Sequence, residues 1–157
     1  MRRRDDRAVS IAITHVLTIA VTTIVLAGLL MGASTVLDRE QTRSGEQSLE
    51  TIGERLATEL EDVDRLADDS DDNTVTVYAE HPETVSGSSY TVEVAEDDDC
   101  GELIDGECLR LTAHGGGAVA TVPVDTEAEL DPDSSASGGT MNVSYTGDEI
   151  TIRSESR

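Results

Sequence analysis

Lysine is absent from this 157-residue chain, and so are phenylalanine and tryptophan. All 11 basic residues are arginines; they face 33 Asp and Glu, for a formal net charge of -22. Nucleic acid is thereby excluded as a partner, because binding it requires clustered cations that displace counterions. The aromatics are Tyr78, Tyr90 and Tyr145 alone. So little aromatic bulk, with so much acid, suggests a very small core or disorder if composition is taken by itself. Motifs of common chemistry are missing too: no nucleophile elbow, phosphate loop, paired-histidine metal motif or dinucleotide fingerprint occurs. His15, His81 and His114 are scattered, and no serine has an evident base beside it. The chain reads as no enzyme, with no cofactor and no resident metal.

What is present is unevenly placed. The 30 residues from Ala8 to Leu37 include no Asp, Glu or Arg, and a helix needs only about 20 to cross the hydrocarbon core of a bilayer. The run is too long for a secretory signal, whose apolar region is about 7–15 residues. Arg2, Arg3, Arg4 and Arg7 precede it, whereas Arg39 and Arg43 follow. The positive-inside rule then keeps the short N-terminus cytoplasmic and puts the acidic remainder outside, as a single-pass membrane protein. At about 100° per residue, Thr14, Thr18, Gly28 and Gly32 fall within about 40° of one line. Small and hydroxylated residues on one stripe let helices approach closely in a bilayer; the alternative is that the hydroxyls bond back to their own helix. His15 lies near the arginine end, at the expected headgroup boundary.

From Ser48 to Ala67 the pattern becomes amphipathic. Leu49, Ile52, Leu56, Leu60, Val63 and Leu66 recur every three or four residues, the spacing of one helix face. Glu61 precedes Arg65 by four, a favourable helical pair. Asp38 to Gly45 either continues the helix or forms a short hinge, and the acid run Asp68 to Asn73 ends it. Beyond that, residues 74–78, 90–94, 108–112, 118–122, 141–145 and 150–152 read as six short strands, with hairpin turns at Gly115-Gly116-Gly117 and Gly147-Asp148. Asp131 to Gly139 reads as a loop. The fold class is α+β: a long N-terminal helix, then a small antiparallel sheet or sandwich. The expected divisions are a leader at 1–8, a membrane helix at 9–37, an amphipathic stem at 38–67 and an acidic extracellular β domain at 68–157.

Cys100 and Cys108 are the only cysteines. In an exported domain such a pair is most simply a disulfide, contributing roughly 2–3 kcal/mol by closing a short loop. A metal site is the alternative, although no histidine is near. Acid without lysine over the whole outer part points to a high-salt setting, where at about 1 M the Debye length is only about 3 Å. Glu96-Asp97-Asp98-Asp99, with Glu102, Asp105 and Glu107, is either a solvated acidic loop or an oxygen-ligand calcium site. Asn142-Val143-Ser144 is a potential N-glycosylation sequon, with Asn142 outward if Met141, Val143 and Tyr145 face in.

Arg7-Ala8-Val9-Ser10-Ile11-Ala12-Ile13, followed by the apolar run, resembles the start of haloarchaeal type IV pilin-like proteins. The resemblance covers about the first 37 residues by motif and the rest by architecture. It implies that a membrane prepilin peptidase cuts after Ala8, leaving Val9 as the new N-terminus. It further implies that the hydrophobic helix anchors the subunit and then packs against other pilin-like subunits in a filament. An uncleaved single-pass protein whose β domain binds a ligand or envelope partner is the alternative.

Overall fold

Continuous helix formation from Arg2 to the acid run at Asp68 is the first consequence of the pattern. The computed structural model describes residues 2–68, 74–96, 99–102, 104 and 106–155, with side chains from residue 13 onward. Helix α1 spans Arg2–Asp68, so the polar stretch from Asp38 to Gly45 is helical. Two compact units divide the chain, Met1–Glu40 and Gln41–Arg157. In the first unit, the described side chains, from Ile13 to Glu40, are all exposed.

The second unit joins the amphipathic end of α1 to the strands. These are β1 (Thr74–Glu80), β2 (Thr84–Val85), β3 (Ser88–Glu96), β4 (Glu107–Ala113), β5 (Val119–Pro123), β6 (Glu129–Leu130), β7 (Ser135–Ser137), β8 (Thr140–Thr146) and β9 (Glu149–Ser154). They form one sheet in the order β1-β8-β9-β7-β3-β4-β5, with β2 on β3 and β6 on β9. All six expected strands are present. The sheet is mixed rather than antiparallel, because β6 and β7 both run parallel to β9. Strand β7 lies in the segment expected to be a loop, and it bridges the two hairpin systems by pairing β3 as well as β9.

The inward face of the sheet and the stripe of α1 make one core. Leu49, Leu56, Leu60 and Val63 are fully buried and pack with Tyr90, Val92, Leu109, Leu111, Met141, Val143, Ile150 and Ile152. Burying a leucine of this kind stabilises by about 1.5–3 kcal/mol. Leu66, expected on the stripe, is 53% exposed, while Ala67, four residues after Val63, is buried. Two glycines complete the stripe. A Cβ at Gly53 would lie 2.6 Å from Val122 Cγ2 and 2.9 Å from Leu111 Cδ1, and one at Gly45 would lie 2.9 Å from Ala118 Cβ. Only a bare backbone fits these approaches.

Polar fastenings hold helix to strands. The Asp64 carboxylate accepts from the backbone N–H groups of Glu127 at 2.8 Å and Ala128 at 3.2 Å. Glu59 uses one oxygen on Arg55 (3.3 Å) and the other on buried His81 Nε2 (3.0 Å). The expected pair of Glu61 and Arg65 forms at 3.2 Å. Thr42 donates its hydroxyl to the carbonyl of Gly116, in the turn between β4 and β5. Tyr90 sits at the centre of the core, where burial pushes its phenol up to about 12.

Turn chemistry follows the sequence. Gly147, with φ of 80°, takes the first central position of the two-residue β8–β9 turn, where glycine tolerates a positive φ. Ser86 and Gly87 both have positive φ in the β2–β3 turn, the pattern of a type I′ hairpin.

Candidate functional site

The candidate surface of the first unit begins with its covering, which is absent. Its most apolar 18-residue stretch has a mean hydropathy of 2.3 and no buried residue. Leu29, Leu30 and Met31 are 66%, 72% and 75% exposed. A core helix of the same composition would be buried, so this one is compatible with a single-pass membrane anchor by length, hydropathy and exposure.

On that helix the four expected packing residues differ in what they leave open. Thr18 donates its hydroxyl to the Thr14 carbonyl at 2.8 Å, and Thr22 and Thr23 repeat the bond to Thr18 and Ile19. The Thr18 hydroxyl is therefore spent within its own helix, as the alternative reading had it. Gly28 and Gly32 are different: a Cβ at either position would meet nothing within 4 Å. Each glycine costs about 1 kcal/mol of helix propensity relative to alanine, and no close approach among the described residues offsets it. Arg7, Ala8 and Val9 fall in the helical backbone of α1, but their side chains lie outside the described residues, as do those of Arg2, Arg3 and Arg4.

In the second unit Cys100 and Cys108 form a disulfide with a Cα–Cα distance of 5.9 Å, and both are buried. It closes the β3–β4 loop, whose sequence includes Asp99 and Glu102. Asp97, Asp98 and Asp105 of the calcium alternative lie outside the described residues. Among those described, no three His, Cys, Asp or Glu side chains converge as metal ligands.

Glu107 has another task, accepting the Leu130 N–H at 2.9 Å. It also stands directly across the strands from Glu96. Burial, reinforced by the charges of Glu96 and Glu129 and opposed by the Leu130 bond, raises its carboxyl above the usual range. A carboxyl raised in the folded state gives stability that is fully present below its unfolded pKa and lost as pH rises through the folded one. Glu107→Gln is accordingly expected to melt higher than the parent at neutral pH and low salt, by about 0.2–1 kcal/mol. The gap should close in acid and shrink in molar salt; thermal melts across pH and salt check both.

Asn142 lies in the middle of β8 on the sheet's outward face, with its strand paired to β1 and to β9. Met141 and Val143 point inward and are fully buried. The sequon serine, Ser144, shares a 2.8 Å hydrogen bond with Thr151. Of the scattered histidines, His81 bonds Glu59 and His114 Nε2 bonds the Thr91 hydroxyl at 2.7 Å. Sequence reasoning missed Gly45, Gly53 and Asp64. The two glycines were legible in principle, being four residues to either side of Leu49 on the buried stripe.

An exposed apolar helix of membrane-spanning length, joined in one chain to a disulfide-closed acidic α+β unit, defines the class. The chain belongs to the family of unknown function DUF7266, which it matches over residues 4–155. No curated protein and no solved structure matches it.

Proposed function

We propose that the chain is a pilin-like surface protein, a minor subunit of an archaeal type IV pilus-like assembly. The observation that carries this reading is the uncovered glycine pair on an otherwise apolar helix, Gly28 and Gly32. Close backbone approach is how helices associate where lipid supplies no hydrophobic drive. A prepilin peptidase removes residues 1–8, the helix from Val9 anchors the subunit in the membrane, and other pilin-like subunits then pack against it. The acidic unit works outside the cell in salt water, where its carboxylates are screened. The basic leader and the resemblance of residues 7–13 support the processing step.

Mass spectrometry of the mature membrane-extracted protein tests the proposal at its first step. The expected chain begins at Val9. A chain still carrying Arg2 to Ala8 would refute processing and favour the second reading, an uncleaved single-pass anchor presenting a binding domain. The exposed Tyr78 on the outward face of the sheet is the observation on that side.

A further inference from the structure

The outward face of the sheet differs from the rest of the chain in charge. By register, Tyr78, Asn142, Arg153, Ser135, Glu93 and Arg110 occupy one row across β1, β8, β9, β7, β3 and β4. That row carries two guanidinium groups and one carboxylate in a chain of net charge -22. The neighbouring outward row at the β1 end is Thr76, Ser144 and Thr151. Threonines in strands need no special reason. Asparagine is depleted in strands, however, and Tyr78 is 61% exposed where Tyr90 is fully buried. An exposed aromatic ring thus stands beside an amide on a strand paired on both sides.

The chemistry of that corner fits one class of ligand. Tyr78, Asn142, Arg153 and Glu155, with Ser144 and Thr151 between them, line one open, shallow depression. Among the described residues neither Arg153 nor Glu155 forms an ion pair. Donors (Arg153 and the Asn142 amide), an acceptor (Glu155) and an apolar ring therefore stand together with charges that balance. A pyranose ring matches this set, with an apolar C–H face for an aromatic ring and a rim of hydroxyls for planar polar groups.

We infer that the outward face of the sheet binds a neutral glycan chain, seated on Tyr78 and held by Asn142, Arg153 and Glu155. An anionic polymer fits less well, since the acid elsewhere on the chain repels it and the corner has no net positive charge. This inference concerns the second unit alone and stands whether or not the helix assembles.

The test is retention of the detergent-solubilised full chain on immobilised mannan, dextran and β-glucan in molar potassium chloride, where ionic attraction is screened. Retention is expected on at least one polymer. Tyr78→Ala should lower it at least tenfold, while Tyr78→Phe, which keeps the ring, should retain it. Tyr78 being exposed, thermal melts of both variants should match the parent. Retention on none of the polymers, or equal retention of Tyr78→Ala, would overturn the inference. So would hexose mass increments on Asn142 in the purified chain, because the face would then be filled by the chain's own glycan. Self-association abolished by Tyr78→Ala would equally overturn it, assigning the face to a second copy.

Discussion

Gly53→Leu is expected to unfold the second unit, or to lower its stability by about 3 kcal/mol or more. The argument sets two opposed effects against each other. Helix propensity favours any ordinary residue over glycine by up to about 1 kcal/mol. Packing opposes it, because even a single Cβ would lie 2.6 Å from Val122 Cγ2 and 2.9 Å from Leu111 Cδ1. Both neighbours are themselves buried in the sheet, Leu111 completely, so neither is the free end of a flexible chain that can swing away. Gly53→Ala should already be net destabilising, by about 1–2 kcal/mol, with leucine worse because its branch has no space to enter. At roughly 4 °C or more per kcal/mol for a domain of this order, leucine should lower the melting temperature by about 12 °C. Circular dichroism melts of the two variants check the order. If Gly53→Ala proved as stable as the parent, the close approach of α1 to β4 and β5 would be wrong.

That glycine shows where the sequence stops being readable. The stripe of Leu49, Ile52, Leu56, Leu60 and Val63 was legible because a helix repeats every 3.6 residues, and burial of one face demands that repeat. Six strands were legible because alternation reports a half-buried sheet. Cys100 and Cys108 were legible because so few residues separate them. Strand β7 was not. Its three residues, Ser135, Ala136 and Ser137, bury one methyl and give no alternation to detect. Only Ala136 of the three faces the core, and crowding begins just after them, where a Cβ on Gly138 would come 2.5 Å from the Tyr90 ring. Parallel pairing with β9 is a long-range outcome that no local pattern encodes. Leu66 leaves the stripe and Ala67 is buried in its stead for a similar reason, since the end of the stripe is fixed by what the strands present to it. The open faces were legible only as residue types. Tyr78, Asn142 and Arg153 are far apart in the chain, and only strand register brings them into one row.

For the apolar helix, leucine at Gly28 or Gly32 is expected to abolish assembly while leaving membrane insertion intact. Insertion depends on summed hydropathy, which leucine improves: it contributes about -0.3 to -0.6 kcal/mol on the insertion scale. Association depends on how near two backbones can come. Among the described residues a Cβ at either glycine would meet nothing within 4 Å, so a larger side chain meets no clash there and a loss of assembly would fall on an external contact. Holding the helices apart removes the van der Waals contact that lipid cannot replace. A loss of only about 1.4 kcal/mol per contact already lowers association tenfold. Thr18→Val serves as the control. Its hydroxyl bonds back to Thr14, so replacement by an isostere should leave assembly unchanged, and Gly28→Ala, which stays small, should weaken it least. Carbonate-extracted membranes report insertion, and cross-linking or sheared-filament pelleting reports assembly. Undiminished assembly by both leucine variants would remove the glycine strip from the mechanism, and with it the main physical support for a pilin-like role.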